Sequence, residues 1–143
     1  MRQRLFYCPA MLIVGALACS NGDGTGVLPP LDSSLTFSGS VQPIFTRTCA
    51  FATGCHAGPD AQQGMDLSAG QAYSNVVNMP SMEVPRLFRI APSNADSSYL
   101  VLKIQGRAGL VDGVGTRMPL GGSLTQAQID TIVGWVAAGA RNN

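Results

Sequence analysis

The chain has 143 residues, 45% of them hydrophobic and 12% charged, a balance that excludes disorder throughout and fits one domain plus any targeting segment. Only 6% are aromatic, with 17 glycines and 9 prolines, so the core is modest, loops are long, and a buried prosthetic group or covalent staple would help the chain fold. The net charge of +1 includes Arg2 and Arg4 near the start; without them seven basic residues face eight acidic ones, and the lack of any basic block argues against nucleic acid.

Residues 1–18 have the parts of a secretory signal. Arg2 and Arg4 supply positive charge, and residues 10–18 (A-M-L-I-V-G-A-L-A) form an apolar run far too short for a permanent bilayer span. The run ends in G-A-L-A-C-S, which resembles a bacterial lipoprotein cleavage box, with Ala16 where the strongest boxes carry leucine. That resemblance implies a lipidated Cys19 as the first mature residue; ordinary secretion with cleavage nearby is the other reading of the same leader. Cys8 falls within the leader, so the four cysteines reduce to one anchor and one pair, Cys49 and Cys55, outside the cytoplasm. Residues 19–35 are rich in glycine, proline and small polar side chains that bury too little surface to fold, and read as a tether. The folded domain is expected over residues 36–143.

Within it, Ser40 can cap a helix through V-Q-P-I-F-T-R-T, with Pro43 tolerated in the first turn. Residues 49–68 look irregular, after which Ser68 and Gln71 have capping-box spacing before a short helix over 69–77. Three prolines make residues 78–93 a wrapped loop, with a short extended piece at 86–90. Ser93 or Asn94 can open a helix through S-S-Y-L-V-L-K-I that Gly106 stops. Residues 106–122 carry six glycines around an M-P dipeptide, a long loop of the kind that is usually functional. Thr125 and Gln128 form a second capping box, Ile129, Ile132, Val133 and Val136 follow helical spacing, and Gly139 ends the helix. Nothing alternates like a strand, so the expected class is all-α: three to four helices with long glycine- and proline-rich loops.

Chemistry concentrates in residues 49–56, C-A-F-A-T-G-C-H, which end in the only histidine. Covalent haem attachment takes two thiols and an adjacent histidine for the iron, usually as C-x-x-C-H. Cys55 and His56 keep that half of the signature, whereas five residues separate the thiols, and Ala50, Ala52, Thr53 and Gly54 are small enough to bulge away. Two extracellular cysteines this close also suit a disulfide, and the second reading is a cofactor-free surface lipoprotein domain stapled by Cys49 and Cys55. A second axial ligand for low-spin haem is commonly methionine, and Met118 lies in the M-P loop. Phe45, one turn before Cys49, and Trp135 on the last helix are expected to meet where the terminal helices cross. The third reading is copper: Met79 and Met82, joined by Met65, His56 and Met118, offer soft thioether donors. With His56 the sole histidine there is no nucleophile–histidine–carboxylate arrangement, and the glycine-rich stretches do not join a strand to a helix, so no enzyme signature is present.

The segments V-Q-P-I-F, G-C-H, G-M-D-L-S, A-P-S-N-A-D-S-S-Y-L-V-L-K-I, R-M-P-L-G-G and L-T-Q-A-Q-I-D-T-I-V-G-W-V-A-A-G-A together resemble the small c-type cytochrome-like domains of bacterial surface proteins. The resemblance spans about residues 36–141 and departs in the cysteine spacing. It implies a cytochrome c-like fold, one covalent haem c on Cys49 and Cys55, and axial ligands His56 and Met118. It further implies electron transfer with a redox enzyme or another cytochrome. Ser20 after Cys19 implies an anchor in the outer membrane, facing the periplasm or the cell surface.

Overall fold

The computed structural model describes residues 34–52 and 54–143. The expected leader, Cys19 and nearly all of the tether lie outside the described residues, as does Thr53. Four α-helices, α1 (Gln42–Thr48), α2 (Ala72–Val76), α3 (Tyr99–Gln105) and α4 (Gln126–Ala137), are joined by long loops. The loops contain 3-10 turns at Gln62–Gly64, Ala95–Ser97 and Ala108–Val111. Among the described residues, β structure is confined to isolated bridges, including Val77 with Ile90 and Phe88 with both Pro80 and Ser98, so the class is all-α. No helix among them is long and apolar enough to cross a membrane.

The first helical stretch begins earlier than Ser40. A π-helical turn, Phe37–Val41, precedes α1, and its cap is Thr36, whose Oγ1 accepts from Gly39 N at 3.0 Å. Thr36 is extended, which frees its hydroxyl for capping, while Ser40 already lies inside the turn and its Oγ accepts from Thr36 N. The combined stretch buries Phe37, Val41, Ile44 and Phe45, one stripe at helical spacing.

The short helix α2 is also displaced from its expected start. Ser68 does not close a capping box with Gln71, because its backbone N–H and hydroxyl both engage the Asp66 carboxylate. Ahead of α3, Asn94 Oδ1 accepts from Ser97 N and caps the 3-10 turn, while α3 itself follows Ser98 without a side-chain cap. Five of its seven residues are buried, as expected for a helix enclosed on most sides. Gly106 ends it at φ 74°, a left-handed conformation that glycine adopts without a Cβ clash. The helix α4 has the expected capping box between Thr125 and Gln128, and Leu124 and Ile129, at the hydrophobic-staple positions, are buried in the same core.

Phe45 and Trp135 share that core, but through rings absent from the expectation. Phe37 lies 6.3 Å from Phe45 and 5.2 Å from Trp135, centroid to centroid, and Tyr73 sits 5.3 Å from Phe37 and 6.4 Å from Trp135. The polar ends of this cluster are satisfied by the chain after α4. Tyr73 Oη donates to the Ala140 carbonyl at 3.0 Å, and Trp135 Nε1 to that of Arg141 at 2.9 Å. The aromatic block thus fixes α4 against the start of the domain.

Candidate functional site

The helix α1 runs directly into the cysteine pair. Cys49 caps it, with its N–H on the Phe45 carbonyl at 2.9 Å. The chain then loops out and returns, and the Cys49 carbonyl accepts from His56 N at 3.0 Å, closing a neck under the spacer. Phe51, Ala52 and Gly54 in the spacer are exposed, Phe51 by 66%, whereas Ala50 packs against the core, so the expected outward bulge holds for Ala52 and Gly54 and not for Ala50. Beyond the neck, the Cys55 carbonyl accepts from Gln62 N and the His56 carbonyl from Leu67 N, at 2.9 and 2.8 Å. Both thiols are free and not bonded to each other. Burial, reinforced by the nearness of Cys55, pushes the Cys49 thiol above its ordinary pKa, so it stays protonated at neutral pH.

His56 is fixed through one ring nitrogen. Its Nδ1 lies 3.1 Å from the Gln62 carbonyl oxygen, which can only accept, so Nδ1 carries the proton and Nε2 keeps a free lone pair. Burial lowers the imidazole pKa, outweighing the carbonyls of Gln62 and Met65, and the positive charge of Arg89 lowers it further. The ring is therefore held neutral, the form in which histidine binds metals.

Cys49, Cys55, His56 and Met118 all line one cleft of about 460 Å³. Its walls are mainly apolar, with Phe45 from α1, Leu67 from the loop ahead of α2, Leu100 and Ile104 from α3, Leu124 from just ahead of α4 and Ile132 from α4 itself. Met65 and Met82 line the same cleft; Met79 is not among its lining residues, so the expected Met79 and Met82 pair does not converge there. Among the described residues, no group of three or more histidine, cysteine, aspartate or glutamate side chains gathers as for a metal ion.

The Met118 side is organised by α3. Lys103 holds the glycine-rich loop at two points: its carbonyl accepts from Met118 N at 3.3 Å, and its Nζ donates to the Val114 carbonyl. Nζ also contacts both carboxylate oxygens of Glu83, at 3.2 and 3.1 Å, while Tyr99 Oη donates to Glu83 Oε2 and Val114 N to Oε1. Burial and the Glu83 charge push the Tyr99 phenol far above its ordinary pKa, so it remains a donor. Gly113 permits this closure, because a Cβ there would come within 2.5 Å of Tyr99 Oη and 2.8 Å of the Ala108 carbonyl.

Two cleft features escaped the sequence reading. The Glu83, Tyr99 and Lys103 network joins positions 16 to 20 residues apart, with no local pattern to mark it. Arg89 sits in L-F-R-I, inside the expected extended piece, yet it is buried and its neighbour Phe88 exposed. The only signal was a charged residue flanked by apolar ones, which ordinarily means the charged side chain faces water.

No protein-family model matches the chain, and no curated protein matches it. Among solved structures it is similar to Kuenenia stuttgartiensis hydrazine synthase, with 22% identity and a TM-score of 0.47 over 74% of this chain. The chain spans 16% of that protein's length, and a likeness of this size carries no argument about function.

Proposed function

We propose that the chain is a membrane-tethered, c-type cytochrome-like electron carrier that binds one haem c with histidine and methionine axial ligation. One observation carries the reading: two cysteines not bonded to each other, the sole histidine and a methionine thioether, from segments up to 69 residues apart, line the same mainly apolar cleft. The residues fit the group. Cys49 and Cys55 would hold the porphyrin covalently, His56 Nε2 and the Met118 sulfur would bind the iron, and the cleft volume lies within the roughly 300–1,000 Å³ of cofactor pockets. When bound, haem supplies a one-electron couple. The chain's own contribution is to orient the His56 ring through the Gln62 carbonyl, to hold the Met118 loop through Lys103, and to line the site with mainly apolar walls. Were His56 and Met118 both to hold the iron, no position would be left for a substrate, which favours electron transfer over catalysis. The lipid on Cys19 and the tether over 19–35 would keep the domain at the outer membrane, in reach of a redox enzyme or another cytochrome.

Expression with an active cytochrome maturation system tests this. The expected outcome is a Soret band and a haem mass that stays on the chain after denaturation; protein lacking both refutes the reading. Met118→Ala should keep the covalent haem and lose the thioether signature. A soft-metal reading draws on Met65, Met82, Met118 and His56 lining the same cleft, which suits Cu(I). Copper analysis after aerobic purification, run beside a haem stain, separates the two.

A further inference from the structure

The domain buries one guanidinium against backbone carbonyls alone. Arg89 is 6% exposed, and its Nη1 donates to the carbonyls of Gly64 at 3.2 Å and Asn75 at 2.8 Å, its Nη2 to that of Gln63 at 2.6 Å. The ion pairs among the described residues are Arg86 with Asp112, Lys103 with Glu83, and Arg107 with Asp96, and none includes Arg89. Carbonyl dipoles satisfy its hydrogen bonds but do not cancel its charge, so the net positive charge persists inside the fold.

Two of those carbonyls belong to the 3-10 turn Gln62–Gly64, whose first residue orients His56. Gln63 sits there at φ 57°, ψ 25°, a left-handed conformation that a residue with a side chain rarely adopts without outside support. Arg89 supplies that support from across the chain, anchored by Asn75 at the end of α2. A continuous path therefore runs from Arg89 through Gln63 and Gly64 to Gln62 and the Nδ1 proton of His56. Arg89 also lines the cleft, and its charge is felt at the His56 ring.

We propose that Arg89 is a positioning residue for His56, holding the turn that fixes the ring, and that its fixed charge raises the midpoint potential of a haem bound in the cleft. The second half rests on the haem reading; the first does not. A buried positive charge favours the reduced state of the iron, which carries one positive charge fewer, and guanidinium keeps its charge at any working pH.

Two variants of the full chain separate the parts. Arg89→Lys keeps a charge but cannot serve three carbonyls in a planar fork, and Arg89→Met removes both charge and clamp. Nitrogen NMR of the sole histidine, in protein as purified, reads its tautomer and the exchange of its Nδ1 proton. Both variants should exchange that proton roughly tenfold faster, as expected for a weakened hydrogen bond, with loss of the single Nδ1–H tautomer. In haem-loaded protein the midpoint should fall on the order of tenfold in the one-electron equilibrium, about 59 mV, in Arg89→Met, and much less in Arg89→Lys. Wild-type exchange and tautomer in either variant overturn the positioning role, so Arg89→Lys alone decides it if Arg89→Met fails to fold. Equal falls in potential for both variants overturn the charge role. Wild-type protein that takes up no haem removes the potential claim together with the haem reading, while the histidine measurement still decides the positioning role.

Discussion

Replacing Glu83 with glutamine keeps the shape of the side chain and removes one negative charge from a place where three residues donate to it. The carboxylate accepts from Tyr99 Oη, from Lys103 Nζ on both oxygens, and from Val114 N at 3.0 Å. The Lys103 and Glu83 side chains are only 14% and 18% exposed, so solvent screens them little. Hydrogen bonds to a charged group are worth about 1.5–3 kcal/mol each, and removing one partner of a buried pair costs about 3–5 kcal/mol. Glutamine still accepts on one atom and the site keeps some contact with water, so the expected loss is about 2–3 kcal/mol. For a domain near a hundred residues this lowers the melting temperature by roughly 8–12 °C. The pH dependence tests the cause. Burial pushes the Glu83 carboxyl up, but the Tyr99 and Lys103 hydrogen bonds, the Lys103 charge and the Val114 N–H together hold it below its ordinary 4.5. A depressed carboxyl contributes its full stabilisation above the unfolded pKa and loses it as pH falls through the folded one. Urea denaturation of both proteins should therefore give the full difference at pH 7 and a shrinking one below the carboxylate range. A difference that does not change with pH, or one under about 0.5 kcal/mol at pH 7, would refute the idea that this charge secures the Met118 loop.

Gly113→Ala drives a methyl group against Tyr99 Oη and the Ala108 carbonyl, and should lower stability by about 1–3 kcal/mol, read as a lower urea midpoint at constant slope. An unchanged midpoint would show that the Tyr99 contact yields freely. Trp135→Ala empties the aromatic block and should cost about 3–5 kcal/mol, whereas Trp135→Phe forfeits chiefly the hydrogen bond to the Arg141 carbonyl, about 1 kcal/mol. Equal losses in the two variants would contradict the packing account. In haem-free Cys55→Ala protein, Cys49 should alkylate slowly at pH 7 and accelerate only above its ordinary 9.0, because burial raises its pKa; the rate of an exposed thiol at pH 7 would contradict its burial.

Local grammar was legible where both partners of a contact lie within one turn. The Thr125 and Gln128 box and the Gly106 stop appear as read, and α4 buries Ile129, Ile132 and Val136 of the expected stripe, with Trp135 buried where Val133 is only partly so. The same grammar misled at Ser40 and Ser68, where a capping residue was in the right place but a competitor took the role. Thr36 was better placed to cap the first helix, and Asp66 captured Ser68. The approach of Met118 to the cysteine and histidine segment was expected from residue type, and the structure brings them to one cleft. How that loop is held was not legible, since Lys103 and Glu83 meet only after the chain folds. Arg89 reads as a surface residue by every local rule, and its burial becomes intelligible only once three carbonyls are seen to converge on it.

The hydrogen bond from His56 N to the Cys49 carbonyl separates two quantities that a motif treats as one. Residue count between the thiols measures contour length, while the neck decides how near their backbones come. Once the neck is closed, lengthening the spacer costs only loop entropy, about 0.6 kcal/mol for each doubling. Insertions there leave the neck intact, and a spacer side chain such as Phe51, though 66% exposed, can still line the cleft. A search pattern that fixes the spacer at two residues therefore filters on contour length, whereas a pattern built on the neck and on the residue after the second cysteine would track the backbone geometry that brings His56 to the cleft.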